Sequence, residues 1–377
     1  MTAVRRRTLL AGTAAALLAH AAKAQPRGHR IVLGQTVPLT GAADQIGTTY
    51  AAGAKLFFDQ FNRAKNNPGH TFELQQLDDG YDATRAAANA TKLLDGGALL
   101  LFGTVGTASG DAVAEVAHQR GTLLFAPFAG SDRLRQPGVT WVYNIRPSLS
   151  DEAFKMVRHC ATLAQQRIAV VADDDAMGRA GLAAVQQALA ELKLPPLVAQ
   201  AFVPVNSGKV DGAAATILRA DPQAVIQVAL FSNSAAFIRK ARASGYVGAL
   251  MNFSVVGIDP LFAALGKDVG GVVMTQVVPS PRSTTVTIVK EYLAAIDTTS
   301  DQTASYESLE GYIAAKTLAE AVRRSGKPGD VAALQKALAA MADYDVGGFR
   351  VNLRAGVRDA VRSIDLVTLT AEGRVVR

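Results

Sequence analysis

The feature that most constrains this chain is an alternation of strand-like and helix-like segments that starts near residue 30 and runs almost to the end. The β-branched, apolar stretch 30–35 predicts a strand, and 48–65 predicts a helix with Ala54, Phe57, Phe58 and Phe61 on one face. Residues 72–77 read as a second strand, and Asp82 is placed to cap a helix that runs to Leu94. The rhythm continues with a strand at 98–103, a helix at 108–120 ended by Gly121, and a strand at 122–127. Strand followed by helix, repeated, is the pattern of a parallel sheet covered on both faces.

The pattern pauses over 128–149, where Gly130, Pro137, Gly138 and Pro147 break it, and then restarts. Ser150 is placed to cap a helix whose first turn holds Asp151 and Glu152, acids that suit the positive end of a helix. Strands at 167–172, 198–203, 224–230, 250–255 and 271–278 alternate with helices at 178–193, 209–220, 233–244 and 260–266. Two αβ units of about 120 residues each follow from this layout. Helices near 284–296, 304–325 and 330–341 come next, the second ended by Gly326 and the third capped by Asp330, before strand-like runs at 348–353 and 363–370. These helices are too few for a third unit and are expected to complete the first. The expected division is 25–147 plus 279–349 in lobe 1 and 148–278 plus 350–377 in lobe 2. Crossings near 147, 279 and 350 make a hinge, and a hinge between two lobes makes a cleft.

Residues 1–24 stand apart. Arg5, Arg6 and Arg7 precede the apolar run 9–22, and Ala22-Lys23-Ala24 offers small residues where a signal peptidase cleaves, so an export signal ending before Gln25 is expected. The arginine pair followed by Thr8-Leu9-Leu10 resembles a twin-arginine signal, and an ordinary secretory signal fits equally well. Both lead to the periplasm. The segment carries Arg5, Arg6, Arg7 and Lys23 and no acid, so subtracting it lowers the formal charge from +7 to about +3. Basicity is thus a targeting feature and argues against a nucleic-acid partner. No later apolar run approaches the roughly 18 residues of a membrane span. The single cysteine, Cys160, shares a helical face with Ala153 and Val157 and reads as packing.

Catalytic signatures are missing. HExxH, GxxxxGK[ST] and GxSxG do not occur, and His29, His70, His118 and His159 are widely separated. The run Gly103 to Gly110 follows a strand and opens a helix without matching GxGxxG. Its backbone N–H groups suit a carboxylate or another anion, a tight turn without ligand being the other reading. The acidic runs at 78–82 and 173–175 lack calcium-loop spacing and read as strand-end turns. No catalytic residue, metal or cofactor is assigned, and the chain is not read as an enzyme.

In order and spacing, the segments resemble the type I periplasmic solute-binding proteins of branched-chain amino-acid ABC transporters, the Leu/Ile/Val-binding protein family, over about 30–370. The resemblance rests on Val37-Pro38-Leu39-Thr40-Gly41, Asp78-Asp79-Gly80, the 103–110 turn, Phe125-Ala126-Pro127, and Tyr143-Asn144-Ile145-Arg146-Pro147-Ser148. Gly178-Arg179-Ala180-Gly181, Gln276-Val277-Val278-Pro279 and Leu309-Glu310-Gly311-Tyr312 extend it. It implies the type I periplasmic-binding-protein fold, α/β, with two Rossmann-like lobes of parallel strands joined by a three-crossing hinge. It also implies capture of a small-molecule solute by a monomer, in an open groove beside the 103–110 turn, for an ABC transporter permease and its ATPase subunits. A ligand-sensing receptor of the same fold is the alternative.

The same resemblance nominates the cleft positions. Gln45 and Ile46 match a loop packed on the ligand, and Gly106 and Thr107 match the turn that grips a carboxylate. Phe128, Ala129 and Gly130 match the next strand end, and Phe231 and Ser232 an aromatic-bearing one. Met177 stands where amino-acid binders commonly carry Tyr, and Ser254 where they place an acid on the ligand ammonium. A buried ammonium without a partner is costly. A small organic carboxylate or amide therefore fits better, unless Asp151, Asp174 or Asp175 turns into the cleft. Arg146 is expected either to meet an anion or to hold the hinge as a salt bridge.

Overall fold

In the computed structural model, which describes residues 29–65, 67, 69–299, 302–353 and 364–376, the alternating pattern resolves into two large sheets. The segment read as an export signal lies outside the described residues. The first half contains β1 (His29–Val37), α1 (Asp44–Arg63), β2 (His70–Asp78), α2 (Ala83–Asp95), β3 (Leu100–Phe102), α3 (Thr107–Gln119), β4 (Leu124–Phe125) and β5 (Val142–Tyr143). Its strands form a five-stranded parallel sheet in the order β2-β1-β3-β4-β5. Every residue of β3 and β4 is buried, as expected where helices cover both faces.

The second half runs through α4 (Leu149–Thr162), β6 (Ile168–Asp173), α5 (Ala176–Glu191), β7 (Ala199–Val203), α6 (Asp211–Arg219), β8 (Ala224–Val228), α7 (Phe231–Ala243), β9 (Ala249–Asn252), α8 (Ile258–Leu265) and β10 (Val272–Gln276). Then come α9 (Thr287–Ile296), α10 (Tyr306–Ser325), α11 (Val331–Ala339), β11 (Tyr344–Asp345), β12 (Arg350–Val351), β13 (Asp365–Leu369) and β14 (Val375–Val376). The second sheet has seven strands in the order β14-β13-β10-β9-β8-β6-β7. It departs from the purely parallel expectation, because β13 and β14 add an antiparallel edge. The run at 348–353 yields β12, which pairs only with β11 in a separate hairpin.

Helices α9 to α11 return to the first half. Backbones of α1 and α10 touch there: a Cβ at Gly53 would overlap the Ser308 carbonyl, and one at Gly311 would overlap the Tyr50 carbonyl. Only glycine permits that approach. Local signals decide several helix ends. Asp82 and Asp330 accept from Arg85 N and Ala333 N, and Gly326 closes α10 in the left-handed region. Two ends differ from expectation. Helix α1 starts four residues early, at Asp44, because Ile46 and Tyr50 extend its buried face. Helix α4 is capped by Ser148 and not Ser150, since only Ser148 has an acid three residues on, and Asp151 completes a capping box with it. The fifth strand, β5, lies inside the loop-rich stretch and was not expected there; it pairs with β4 through Val142 and Tyr143.

Candidate functional site

The N-terminus of α3 opens where the two sheets face each other. Gly106 precedes it with φ 104°, and a Cβ there would lie 2.8 Å from the Tyr81 ring, so the turn needs glycine on both counts. Gly106 N donates to Phe128 O at 3.1 Å and Phe128 N to Thr104 O at 2.7 Å, which ties the turn to the end of β4. No side chain caps the first turn of α3. Its leading N–H groups are therefore left for other acceptors. Ile46, Thr107, Phe128, Ala129 and Gly130 form the first-half wall of a small cavity, and Met177, Leu230 and Val255 form the opposite wall.

The groove expected to be open is nearly filled by the protein's own side chains. About 20 Å³ remains, room for about one water. Tyr81 closes one side, its hydroxyl donating to Asp175 Oδ2 of the second half at 3.2 Å. Arg146 closes another, with its guanidinium 3.8 Å above the Phe128 ring. Arg146 Nε and Nη2 donate to Glu310 at 3.0 and 3.3 Å, and Nη2 also donates to Ser254 Oγ at 3.0 Å. Ser254 in turn donates to Glu152 through its N at 2.9 Å and its Oγ at 3.1 Å, and Thr275 Oγ1 donates to Glu152 at 2.5 Å. All five side chains are buried. Burial works against the Arg146 charge, but the Glu310 and Glu152 carboxylates outweigh it and hold the guanidinium pKa above its ordinary value.

This network answers the question left by Ser254. The position that the resemblance assigned to a ligand ammonium, Ser254, is engaged by the protein's own Arg146 guanidinium. Arg146 is a salt bridge at the junction, as one of its two readings had it. Asp151, Asp174 and Asp175 supply no free acid there. Asp151 receives Ser148 N, Asp174 pairs with Arg179, and Asp175 caps α5 through Gly178 N while accepting from Tyr81.

Of the eleven nominated residues, Ile46, Gly106, Thr107, Phe128, Ala129, Gly130 and Met177 line the cavity together. Ser254 lies one residue from its wall, behind Val255. Phe231 and Ser232 sit in the first turn of α7, half-buried, and it is Leu230 before them that reaches the cavity. Gln45 faces a different space. That second pocket holds about 360 Å³ between α1, the start of α8 and the start of α10, and Ile46 is common to both. Sequence reasoning missed Tyr81, Glu152, Glu307 and Glu310. No local signal in the sequence marks them, since it is the structure that buries Glu307 and Glu310 in α10.

Two large sheets with polar side chains bonded across the gap between them suit a two-lobed solute-binding protein. Among the described residues no group of acids, histidines or cysteines is placed to hold a metal. The sequence matches the periplasmic binding protein family over residues 30–374. The Leu/Ile/Val-binding protein BraC3 of Rhizobium johnstonii is 25% identical over 337 residues, covering 88% of this chain and 87% of its own. A crystal structure described as a possible leucine/isoleucine/valine-binding protein from Rhodopirellula baltica superposes with a TM-score of 0.87 at 27% identity, covering 93% and 97% of the two chains. A substrate-binding periplasmic protein from Ralstonia solanacearum gives 0.85 at 28%, covering 92% and 99%. The chain belongs to the periplasmic binding protein family. Its relatives and its fold are those of solute-binding proteins, not enzymes.

Proposed function

We propose that this protein is the solute-capturing component of an ABC uptake transporter and that it binds an amino-acid-like solute or a small organic carboxylate or amide between its lobes. The observation that carries the reading is the uncapped N-terminus of α3, which opens at the junction of the two halves beside Phe128 and Met177. Such a terminus suits a carboxylate, and the two apolar side chains suit a short aliphatic body. The names of the relatives support the same class of ligand.

In this reading the lobes divide near 147, near 279 and near 350. Small-molecule sites hold about 300 Å³ or more, so a solute enters the 20 Å³ space only as the walls part. Ligand then favours the closed form because it touches both walls only there. In this reading the protein acts as a monomer in the periplasm, exported by a twin-arginine or an ordinary secretory signal, and hands its solute to a permease with its ATPases. Thermal-shift screening against amino acids, short carboxylates and amides tests the reading, since a ligand of the folded form raises its melting temperature. Thr107→Ala is expected to weaken the best hit about tenfold by calorimetry, the loss of one polar contact. Unchanged affinity would remove the turn from the site.

A further inference from the structure

Resting on that reading of the cleft, we infer that the pocket beside Glu307 is an ammonium subsite: it takes the cationic end of an amine-bearing solute, with the Glu307 carboxylate as the charge partner. The pocket's 360 Å³ is within the range of small-molecule sites. It lies between the two halves. Glu307 and Ser308 come from α10 and Thr48 and Thr49 from α1, while Asp259 and Pro260 face them from α8. The second half presses directly on the acid, because a Cβ at Gly257 would stand 2.8 Å from Glu307 Oε1. Thr48 is exposed, so the pocket meets solvent.

Its charges are unbalanced. Arg146 is taken by Glu310 and Arg282 by Asp259, and among the described residues no cation pairs with Glu307. Burial raises the carboxyl pKa of Glu307 above its ordinary value, and Asp259 and Glu310 raise it further. The groups that favour its charge are its own backbone N–H and the Ser305 side chain, at the positive end of α10. A buried acid in this setting gains most from a cation brought by the ligand. A second observation points the same way. Ser308 lines the pocket wall, and its side chain is hydrogen-bonded with the Tyr292 hydroxyl, so it is the amide of Gln302 that offers an acceptor. Gln302 Oε1, on the same wall, is buried and unpartnered. An amide oxygen is an acceptor for the N–H groups of an ammonium.

This places the charge partner for an ammonium on the first half of the molecule. The Ser254 position, where the family resemblance looks for it, is filled by Arg146. The test uses matched probes: L-amino acids, the same compounds lacking the carboxylate, and the same compounds lacking the amine. Thermal shift selects the tightest probe of each set, and calorimetry compares wild type with Glu307→Gln. Amine-bearing probes are expected to lose at least tenfold in affinity, with the amine-free acids unchanged. Thr48→Lys, an exposed change at the pocket mouth that leaves the core untouched, is expected to weaken the same amine-bearing probes. Equal binding of amine-bearing probes to wild type and both variants overturns the subsite, as does binding confined to amine-free acids; in both cases solute capture in the cleft stands. No binding in any set overturns solute capture by this cleft, and the subsite with it.

Discussion

The space beside Phe128 and the pocket beside Glu307 share Ile46 as a wall, yet one holds about 20 Å³ and the other about 360 Å³. They differ in how their charges are settled. Around the first, Arg146, Glu310, Ser254, Glu152 and Thr275 form a connected network. Around the second, Glu307 has Asp259 and Glu310 for charged neighbours, and among the described residues no cation pairs with it. A satisfied network rigidifies, and an unsatisfied one invites a ligand. The comparison sets a closed space with a paired ion beside an open one with an unpaired acid.

The largest expected effect breaks the settled side. Arg146→Met leaves Glu310 buried and unpaired, and is expected to lower unfolding free energy by about 3–5 kcal/mol in urea titrations. Adding Glu310→Leu should recover most of it, because both charges then go together. A loss that the double variant does not recover would mean that the Phe128 contact, not the ion pair, holds this region. Next in size, Gly311→Ala forces apart the backbones of α10 and α1 and is expected to destabilise by about 1–3 kcal/mol. Because α10 carries both Glu307 and Glu310, the same variant should disturb both spaces. A normal melting temperature would show that the helix contact can relax.

A smaller effect sharpens the comparison at the rim. Asp79 is fully buried below Tyr81, whose N donates to it at 2.9 Å, and Thr36 Oγ1 donates to its other oxygen at 2.9 Å. Burial raises its carboxyl to about 6, against the hydrogen bonds. A folded pKa above the unfolded value of about 3.9 means that the protonated acid favours folding. That contribution is complete below about pH 4 and is lost as pH rises to about 6. Asp79→Asn keeps the shape without the titration. Its stability relative to wild type is expected to rise by about 1–3 kcal/mol between pH 4 and 7 and then level off. A difference independent of pH would show that Asp79 stays ionised.

Much of the fold is legible in the sequence because the signals are local. Asp82, Asp330 and Gly326 mark helix ends through neighbours within a few residues. Strand β5 is not legible, since two residues in a Pro- and Gly-rich loop carry no period, and its place is set by pairing with β4. The cavity wall at Ile46, Gly106, Thr107, Phe128 and Met177 could be named from family motifs. The charges could not. Arg146 meets Glu310 across 164 residues and Ser254 across 108, and no local rule couples them. An unremarkable Ser254 in the sequence becomes, in space, the link between a guanidinium and a carboxylate.

The glycine seam between α1 and α10 has a mechanical consequence. It fastens Glu310 to the half of the molecule from which Arg146 emerges, while Glu152, Ser254 and Thr275 belong to the other. Each carboxylate therefore travels with its main donors. Swinging the halves apart would sever a serine hydroxyl from Arg146 and a tyrosine hydroxyl from Asp175, and would take Glu152 away from the Arg146 charge, while the Arg146–Glu310 pair stays together. A jaw built this way can gape with its main ion pair intact, and the carboxylate it leaves behind, Glu152, keeps the Ser254 and Thr275 donors that move with it.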